Sequence, residues 1–165
     1  MYRRTTREMA LATLPQAFAS ALAEHAAARQ ILLDGVRVWL THSENPPAEG
    51  FFGRLLGSRA NSADPDAAHH SVLVLHRSHL LVGTSAEKRG TSVLSVPLAV
   101  ASVTRGSAIG ARFDVPGVSD GISISGFPGE IGRPGTYFFG LGPEPAAAEC
   151  VRAVEATLVA VKNPR

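Results

Sequence analysis

The sequence lacks most of what disulfide-bonded, zinc-binding and membrane-spanning proteins need. Its 165 residues include one cysteine, Cys150, which excludes an intrachain disulfide and a cysteine-based zinc site. No apolar run approaches the roughly 20 residues that a spanning helix requires. Charged residues make up only 18% of the chain and apolar residues 45%, an ordinary balance for one globular domain with a buried core.

Signatures of common enzymes are also scarce. The chain contains no P-loop and no His-Glu-x-x-His segment. Its carboxylates, such as Asp114, Asp120 and Glu130, lie in turn-like segments, where acidic residues are common for local reasons. We therefore predict a protein that is not an enzyme and that has neither a cofactor nor a metal site.

Excess positive charge is confined to the first 30 residues. This segment holds four arginines and two glutamates, which account for the whole formal charge of +2, so the remaining chain is neutral. Because a nucleic-acid-binding face needs clustered basic and aromatic residues, no nucleic acid partner is expected. Residues 1–23 also have the outline of a secretory signal, but polar residues interrupt the apolar stretch, which favours a cytoplasmic location.

Apolar spacing predicts a helix near each end of the chain. Residues 1–8 are expected to form a loose polar arm, followed by a helix that starts at a Thr13–Gln16 capping box and ends near Ala28. A second helix is predicted over residues 144–163, with prolines at its start and just past its end. Cys150 lies beside its apolar face and is expected to be a buried, inert thiol. The two predicted apolar faces are Leu11, Leu14, Phe18, Leu22 and Ala26 in the first helix, and Ala147, Val151, Val154, Leu158 and Val161 in the second.

Between the helices, alternating apolar residues predict a series of short strands. They cover residues 36–42, 71–76, 79–85, 91–96, 99–104, 109–115, 121–125 and 136–141. Residues 43–70 lose this periodicity and contain several prolines and glycines, which indicates a long insertion. The fold class predicted from this order is mainly β with a capping helix (α+β), plus an N-terminal helix.

Two segments carry a family resemblance. Leu73-Val-Leu-His-Arg-Ser-His-Leu-Leu-Val82 and Val96-Pro-Leu-Ala-Val-Ala-Ser-Val103 are similar to a strand–turn–strand and a later segment of the pleckstrin-homology superfold, in its bacterial and GRAM-like branch. The resemblance covers residues 31–163. It implies a bent barrel or sandwich of about seven strands in two antiparallel sheets, closed by a C-terminal helix. Lipid-binding members clamp phosphoinositides with several basic residues, whereas this chain offers no tight Lys/Arg cluster in the corresponding region.

One binding patch is predicted inside the insertion. If residues 50–59 are helical, their apolar side chains share one face while the arginines reach outward, as in a small interfacial anchor. The same apolar side chains would equally well cover an open sheet edge of this domain, and the three glycines weaken a free helix. The candidate binding residues are Phe51, Phe52, Arg54, Leu55, Leu56 and Arg59.

Four histidines fall within eleven residues, which raises the question of a metal site: His69, His70, His76 and His79. No carboxylate or cysteine is interleaved at ligand spacing, and adjacent strand residues point to opposite faces. Metal binding is therefore not predicted. His76 and His79 flank a predicted tight turn and are expected to meet solvent.

These features predict an N-terminal arm and helix in residues 1–30, and a pleckstrin-homology-like domain in residues 31–165 with an insertion at residues 43–70. The predicted function is a non-catalytic binding or scaffolding module for protein–protein contact or self-association. One alternative is weak peripheral binding to an anionic membrane, through the patch and Arg3, Arg4 and Arg7. A second alternative is an enzyme or small-ligand carrier that uses a barrel pocket.

Overall fold

Two antiparallel sheets and two helices form the protein in the computed structural model, which describes residues 2–46, 66–106 and 121–164. Helix α1 (Gln16–Ala28) lies between the first two strands, after a short 3-10 helix at Leu11–Thr13, and helix α2 (Pro145–Lys162) follows the last strand. The larger sheet has five strands in sequence order: β1 (Arg3–Met9), β2 (Arg37–Glu44), β3 (Ala68–Leu75), β4 (His79–Ala86) and β5 (Gly90–Pro97). The smaller sheet has three strands: β6 (Ser102–Arg105), β7 (Gly121–Phe127) and β8 (Gly135–Gly140).

The predicted α+β class, mainly β with a helix after the last strand, is confirmed. Within the described ranges the strands form two sheets and do not close into a barrel. Most predicted strands overlap an observed strand. The one predicted at 99–104 is shortened to β6, because the N–H groups of Val100 and Ala101 donate to the carbonyl of Pro97 and form a turn. The strand predicted at 109–115 lies outside the described residues.

The expected loose arm at residues 1–8 is wrong, because most of this segment belongs to β1. It pairs with β2 in an unbroken register from Arg3 opposite Glu44 to Met9 opposite Val38. The segment carries no apolar alternation, so it has no strand signal of the usual kind. Its strand conformation is stabilised by the backbone hydrogen bonds to β2. The buried hydroxyl of Thr6 adds a side-chain contact, since its Oγ1 lies 2.8 Å from Thr41 Oγ1.

Helix α1 covers one face of the larger sheet. The predicted capping box is wrong: Pro15 occupies the N-cap, no side chain caps the helix, and Thr13 Oγ1 donates to the carbonyl of Ala10 instead. The predicted apolar stripe is buried from Leu14 onward, with Phe18 and Leu22 almost fully enclosed. This apolar layer consists of Leu14, Phe18, Leu22, Val38, Leu40, Val72, Val74 and Leu81.

The opposite face of the sheet packs against α2 and the smaller sheet. Trp39 and Phe139, both fully buried, lie in this second core, and the helix contributes Ala147, Cys150, Val154 and Leu158. Strand β2 is therefore buried on both faces: Val38 and Leu40 face α1, while Trp39 faces α2. No helix in the described ranges is long and apolar enough to span a bilayer.

An ion-pair network joins β1, β2 and α2 above the second core. The guanidinium of Arg37 donates to Glu8 at 2.8 Å and to Glu149 at 3.1 Å, and its carbon lies 4.7 Å from the centre of the Trp39 ring. These bonds, chiefly the one to Glu8, raise the pKa of Arg37 above its usual range. Arg152 donates to the same Glu149 carboxylate at 2.7 Å. Arg37, whose guanidinium lies over the indole ring of Trp39, thus links β1, β2 and α2 through ion pairs between partly exposed side chains.

Candidate binding surfaces

The predicted patch at Phe51, Phe52, Arg54, Leu55, Leu56 and Arg59 lies outside the described residues and stays a prediction. Strand β2 extends to Glu44 and β3 begins at Ala68, so both ends of the predicted insertion are strand. The first residue after the gap, Asp66, is buried, and its carboxylate accepts hydrogen bonds from Lys88 N–H and from Arg89 Nε, each at 2.8 Å. The start of β3 is thereby tied to the turn between β4 and β5.

The β5 strand forms an exposed, regular edge of the larger sheet. All eight of its residues pair with β4 without a register shift, from Gly90 opposite Ala86 to Pro97 opposite His79. In the part of the chain that the structure describes, no strand pairs with its other side. The strand carries no charge, and Leu94 is 44% exposed. Natural sheets usually protect an edge of this length with charges, bulges or a cover.

The opposite edge of the same sheet, β1, has such a cover. Glu144, just before α2, accepts a hydrogen bond from the backbone N–H of Thr6 at 2.8 Å. The N–H of Gly142 donates to the Thr6 hydroxyl at 2.9 Å, so the chain between β8 and α2 runs along this edge. The two edges therefore differ: Thr6 of β1 is hydrogen-bonded to Glu144 and Gly142, whereas no described strand pairs with the outer side of β5.

A row of polar side chains crosses the larger sheet on the same face as α1, in the part of that face that the helix does not cover. Direct cross-strand pairing places one residue from each strand in this row, which we call the polar row: Thr5, His42, His70, Ser85 and Thr91. The next row along the sheet contains Val72 and Gly83, over which Phe18 of α1 packs. The polar row therefore lies beside the helix and is not buried by it.

His42 and His70 form a hydrogen-bonded pair at the centre of the polar row. Nδ1 of His42 lies 3.0 Å from Nε2 of His70, and the ring centres are 4.5 Å apart. Nε2 of His42 is 3.4 Å from the Glu44 carboxylate. Burial, then His42 and then Arg7 lower the pKa of His70. The hydrogen bond between the rings needs one of the two nitrogens to donate and the other to accept.

The arginines of β1 alternate between the two faces of the sheet. The guanidinium of Arg4 faces the smaller sheet and lies 5.3 Å from the Tyr2 ring centre and 5.7 Å from that of Phe138. Arg3 and Arg7 project from the other face, on either side of Thr5 in the polar row, and are exposed. Two of the four N-terminal arginines, Arg3 and Arg7, thus lie on the same face as the histidine pair.

Two further histidines of the cluster, His76 and His79, flank the turn between β3 and β4. His76 is buried, which corrects the expectation that it meets solvent, because the N–H and hydroxyl of Ser78 both bond to its Nδ1, at 3.2 and 3.0 Å. The pKa of His79 is lowered by burial and by the neighbouring His76. Among residues 2–46, 66–106 and 121–164, no group of three or more His, Cys, Asp or Glu side chains is arranged to hold a metal ion.

Cys150 is fully buried in the second core, as expected from its position on the helix. Burial raises the pKa of its thiol to about 12. We expect the folded protein to react negligibly with a disulfide reagent at about pH 8, because only the thiolate is nucleophilic. Addition of denaturant should release one reactive thiol per chain. A folded thiol that reacts as fast as a free one would contradict this burial.

One cleft in the described part of the chain bears on the alternatives of catalysis and ligand carriage. A cleft of about 400 Å³ opens beside the start of α2, between Gly142, Ala147 and Arg152 on one side and Arg105 on the other. Both arginines are paired with glutamates, Arg105 with Glu155 and Arg152 with Glu149. Residues 117–121, Gly-Val-Ser-Asp-Gly, have the spacing of a nucleophile elbow. Such an elbow is followed by a helix, and here β7 begins at its last residue.

Comparisons with known proteins gave no match: neither a family model, nor a curated protein, nor a solved structure corresponds to this chain. The surfaces described above therefore have to be interpreted from their own chemistry.

Two of these surfaces were missed from the sequence. His42 lies 27 residues before His69, and only the pairing of β2 with β3 brings it opposite His70. Both strands were predicted, but their register depends on residues far apart in the chain. Likewise, β5 was predicted as a strand, but its place at the edge follows from the order of the whole sheet.

Proposed function

We propose that this protein is a non-catalytic association module whose β5 edge pairs with the β5 edge of a second copy. The observation that carries the proposal is the regular, uncharged β5 strand, whose outer side pairs with no strand in residues 2–46, 66–106 and 121–164. An exposed edge offers unpaired N–H and C=O groups to an added strand, which supplies affinity through main-chain hydrogen bonds. The β1 edge supplies the contrast, because there the Glu144 carboxylate accepts from the Thr6 N–H and Gly142 donates to the Thr6 hydroxyl.

The composition of β5 favours a second copy over an unrelated strand. When a strand pairs antiparallel with its own copy, charged side chains near its centre are brought close to identical charges, which is destabilising. The sequence Gly-Thr-Ser-Val-Leu-Ser-Val-Pro has no charge to repel. Pairing about Val93 would place Thr91 against Ser95 of the copy and keep α1 of both chains on the same face of a continuous sheet.

We further propose that the module is of pleckstrin-homology-like type. Support comes from the seven strands β2 to β8, which form two antiparallel sheets and are followed by a helix packed on the core between them. The turn at residues 76–78 and the Pro97 turn fall within the two segments that carry the resemblance. On this interpretation β1 and α1 are additions to the superfold, on the edge and on the outer face of its first sheet.

The association test compares a charge placed on the edge with a charge placed elsewhere. We expect Leu94→Lys to weaken self-association at least about tenfold, or ~1.4 kcal/mol, because a pairing edge does not tolerate an uncompensated charge. The matched control is Val159→Lys on α2, which changes an equally apolar residue that is 61% exposed. The measurement is the molar mass in solution by light scattering over a concentration series.

The wild-type protein should show a mass above its monomer value of 17.3 kDa at high concentration, and the Leu94→Lys variant should stay at that value. A wild-type chain that stays monomeric, or a Leu94→Lys variant that associates as well as Val159→Lys, would overturn the proposal.

A further inference from the structure

We propose that the polar row, together with Arg3 and Arg7, binds an oxyanion of the phosphate class. The surface concerned is the half of the larger sheet that α1 leaves uncovered, where Thr5, His42, His70, Ser85 and Thr91 stand side by side. It meets the edge of β5 only at Thr91, whereas its arginines and histidines lie on β1, β2 and β3, so the two proposals are tested by different residues.

The first argument is that Arg3 and Arg7 have no carboxylate partner among the described residues. Four arginines in the described ranges, Arg37, Arg89, Arg105 and Arg152, each make a contact of 2.7–2.8 Å to Asp or Glu. Arg3 and Arg7 form no ion pair with any described residue. Both project from the same face, where guanidinium groups can bind an anion through two parallel hydrogen bonds.

The second argument is the histidine pair between these arginines and the hydroxyl groups. With His42 Nδ1 only 3.0 Å from His70 Nε2, one of the two nitrogens donates and the other accepts. Protonating both rings leaves two N–H groups facing each other, which is unfavourable unless an anion accepts from them. An oxyanion has several acceptor oxygens and supplies the opposing charge, so the pair becomes a two-donor site when one is bound.

The other charged groups near the pair carry both signs. Glu44 on β2 stands opposite Arg3 in the strand register and lies 3.4 Å from His42, and its negatively charged side chain is more than half exposed. The turn between β4 and β5, at this end of the sheet, adds Glu87 and Lys88, one of each sign. Arg3 and Arg7 from β1 therefore leave this face with net positive charge. Hydroxyl donors are supplied by Thr5 and by Ser85, whose Oγ lies 2.8 Å from Thr91 Oγ1.

Binding should be coupled to proton uptake. In the free protein burial and the neighbouring His42 and Arg7 lower the pKa of His70, which favours the neutral ring near neutral pH. A bound oxyanion brings negative charge and raises that pKa, so the complex holds more protons than the free protein. Affinity must therefore increase as the pH falls from about 8 to about 6, and it must decrease again as the pH rises.

The experiment is an NMR titration of the imidazole signals with sulfate, at constant ionic strength set with chloride. Sulfate is the probe for the pH series because it remains a dianion throughout, whereas phosphate changes its own charge. We expect saturable shifts of the His42 and His70 signals, and about tenfold tighter binding at pH ~6 than at pH ~8. Arg7→Gln should weaken binding about tenfold at either pH, while Arg133→Gln, an exposed arginine in the loop between β7 and β8, should leave it unchanged.

Two further experiments show whether the oxyanion is a soluble ion or a lipid headgroup. Inorganic phosphate is titrated at the lower pH, and the protein is sedimented with phosphatidylcholine vesicles with and without phosphatidic acid. Shifts with phosphate and no sedimentation indicate a soluble ligand. Sedimentation that requires phosphatidic acid, competes with phosphate and is lost in Arg7→Gln indicates a lipid headgroup. The absence of saturable shifts with both ions, equal affinity in Arg7→Gln, or a response to Ni²⁺ alone would overturn the proposal.

Discussion

Replacing Trp39 by alanine is expected to lower the free energy of unfolding by about 3–5 kcal/mol, a large part of the 5–15 kcal/mol that stabilises a typical domain. Trp39 is fully buried where β2 faces α2, so its removal leaves a cavity that the second core cannot fill. It also takes away the ring on which Arg37 lies while that arginine holds Glu8 and Glu149. The measurement is urea denaturation followed by circular dichroism, since Trp39 is the only tryptophan.

A second substitution at the same position separates the cost of the cavity from the cost of burying an unpaired indole N–H. In the described part of the chain the indole Nε1–H of Trp39 has no hydrogen-bond partner, and an unsatisfied buried donor costs about 1–3 kcal/mol. Trp39→Phe removes this donor and keeps most of the ring. We therefore expect Trp39→Phe to lose much less stability than Trp39→Ala. Equal losses in the two variants would show that the indole N–H is satisfied in solution, and no loss in either would contradict the packing described here.

Replacing Phe18 by alanine is expected to cost a similar amount, about 3–5 kcal/mol, on the opposite face of the sheet. Phe18 is 1% exposed, and its ring lies where a Cβ on Gly83 would approach it to 3.2 Å, so helix and strand are in close contact. Trp39 fluorescence reports unfolding of this variant because Trp39 belongs to the other core. The control is Leu32→Ala, which removes a side chain that is 70% exposed and should change stability little.

The result for Phe18 also decides how the N-terminal segment relates to the rest of the chain. If Phe18→Ala destabilises the whole protein in one transition, α1 unfolds together with the sheet and belongs to its cooperative unit. If the fluorescence transition of Trp39 is unchanged while helical circular dichroism is lost first, α1 is a detachable element, as the predicted division at residue 30 implies. A Phe18→Ala variant with wild-type stability would contradict the packing of α1 against the larger sheet.

Local sequence patterns determined much of the architecture. Helix α2 was predicted to within a residue of each end, because its apolar residues recur at helical spacing and prolines mark its limits. Strands β3 and β4 and the turn between them followed from alternation and from the break at His76-Arg-Ser. These signals are local, since each depends on residues within a few positions of one another.

The tertiary structure decided which residues form the open β5 edge and the surface around the histidine pair. Strand β1 has no apolar alternation, and only its pairing with β2 and the contacts of Thr6 with Glu144 and Gly142 make it a strand. The same pairing places Arg3 and Arg7 beside the histidine pair, and the order of the sheet leaves β5 at an open edge. Register and strand order depend on residues far apart in the chain, whose pairing energies no local pattern records. The sequence by itself therefore determined most of the elements, and the assembled sheet determined β1 and which side chains meet.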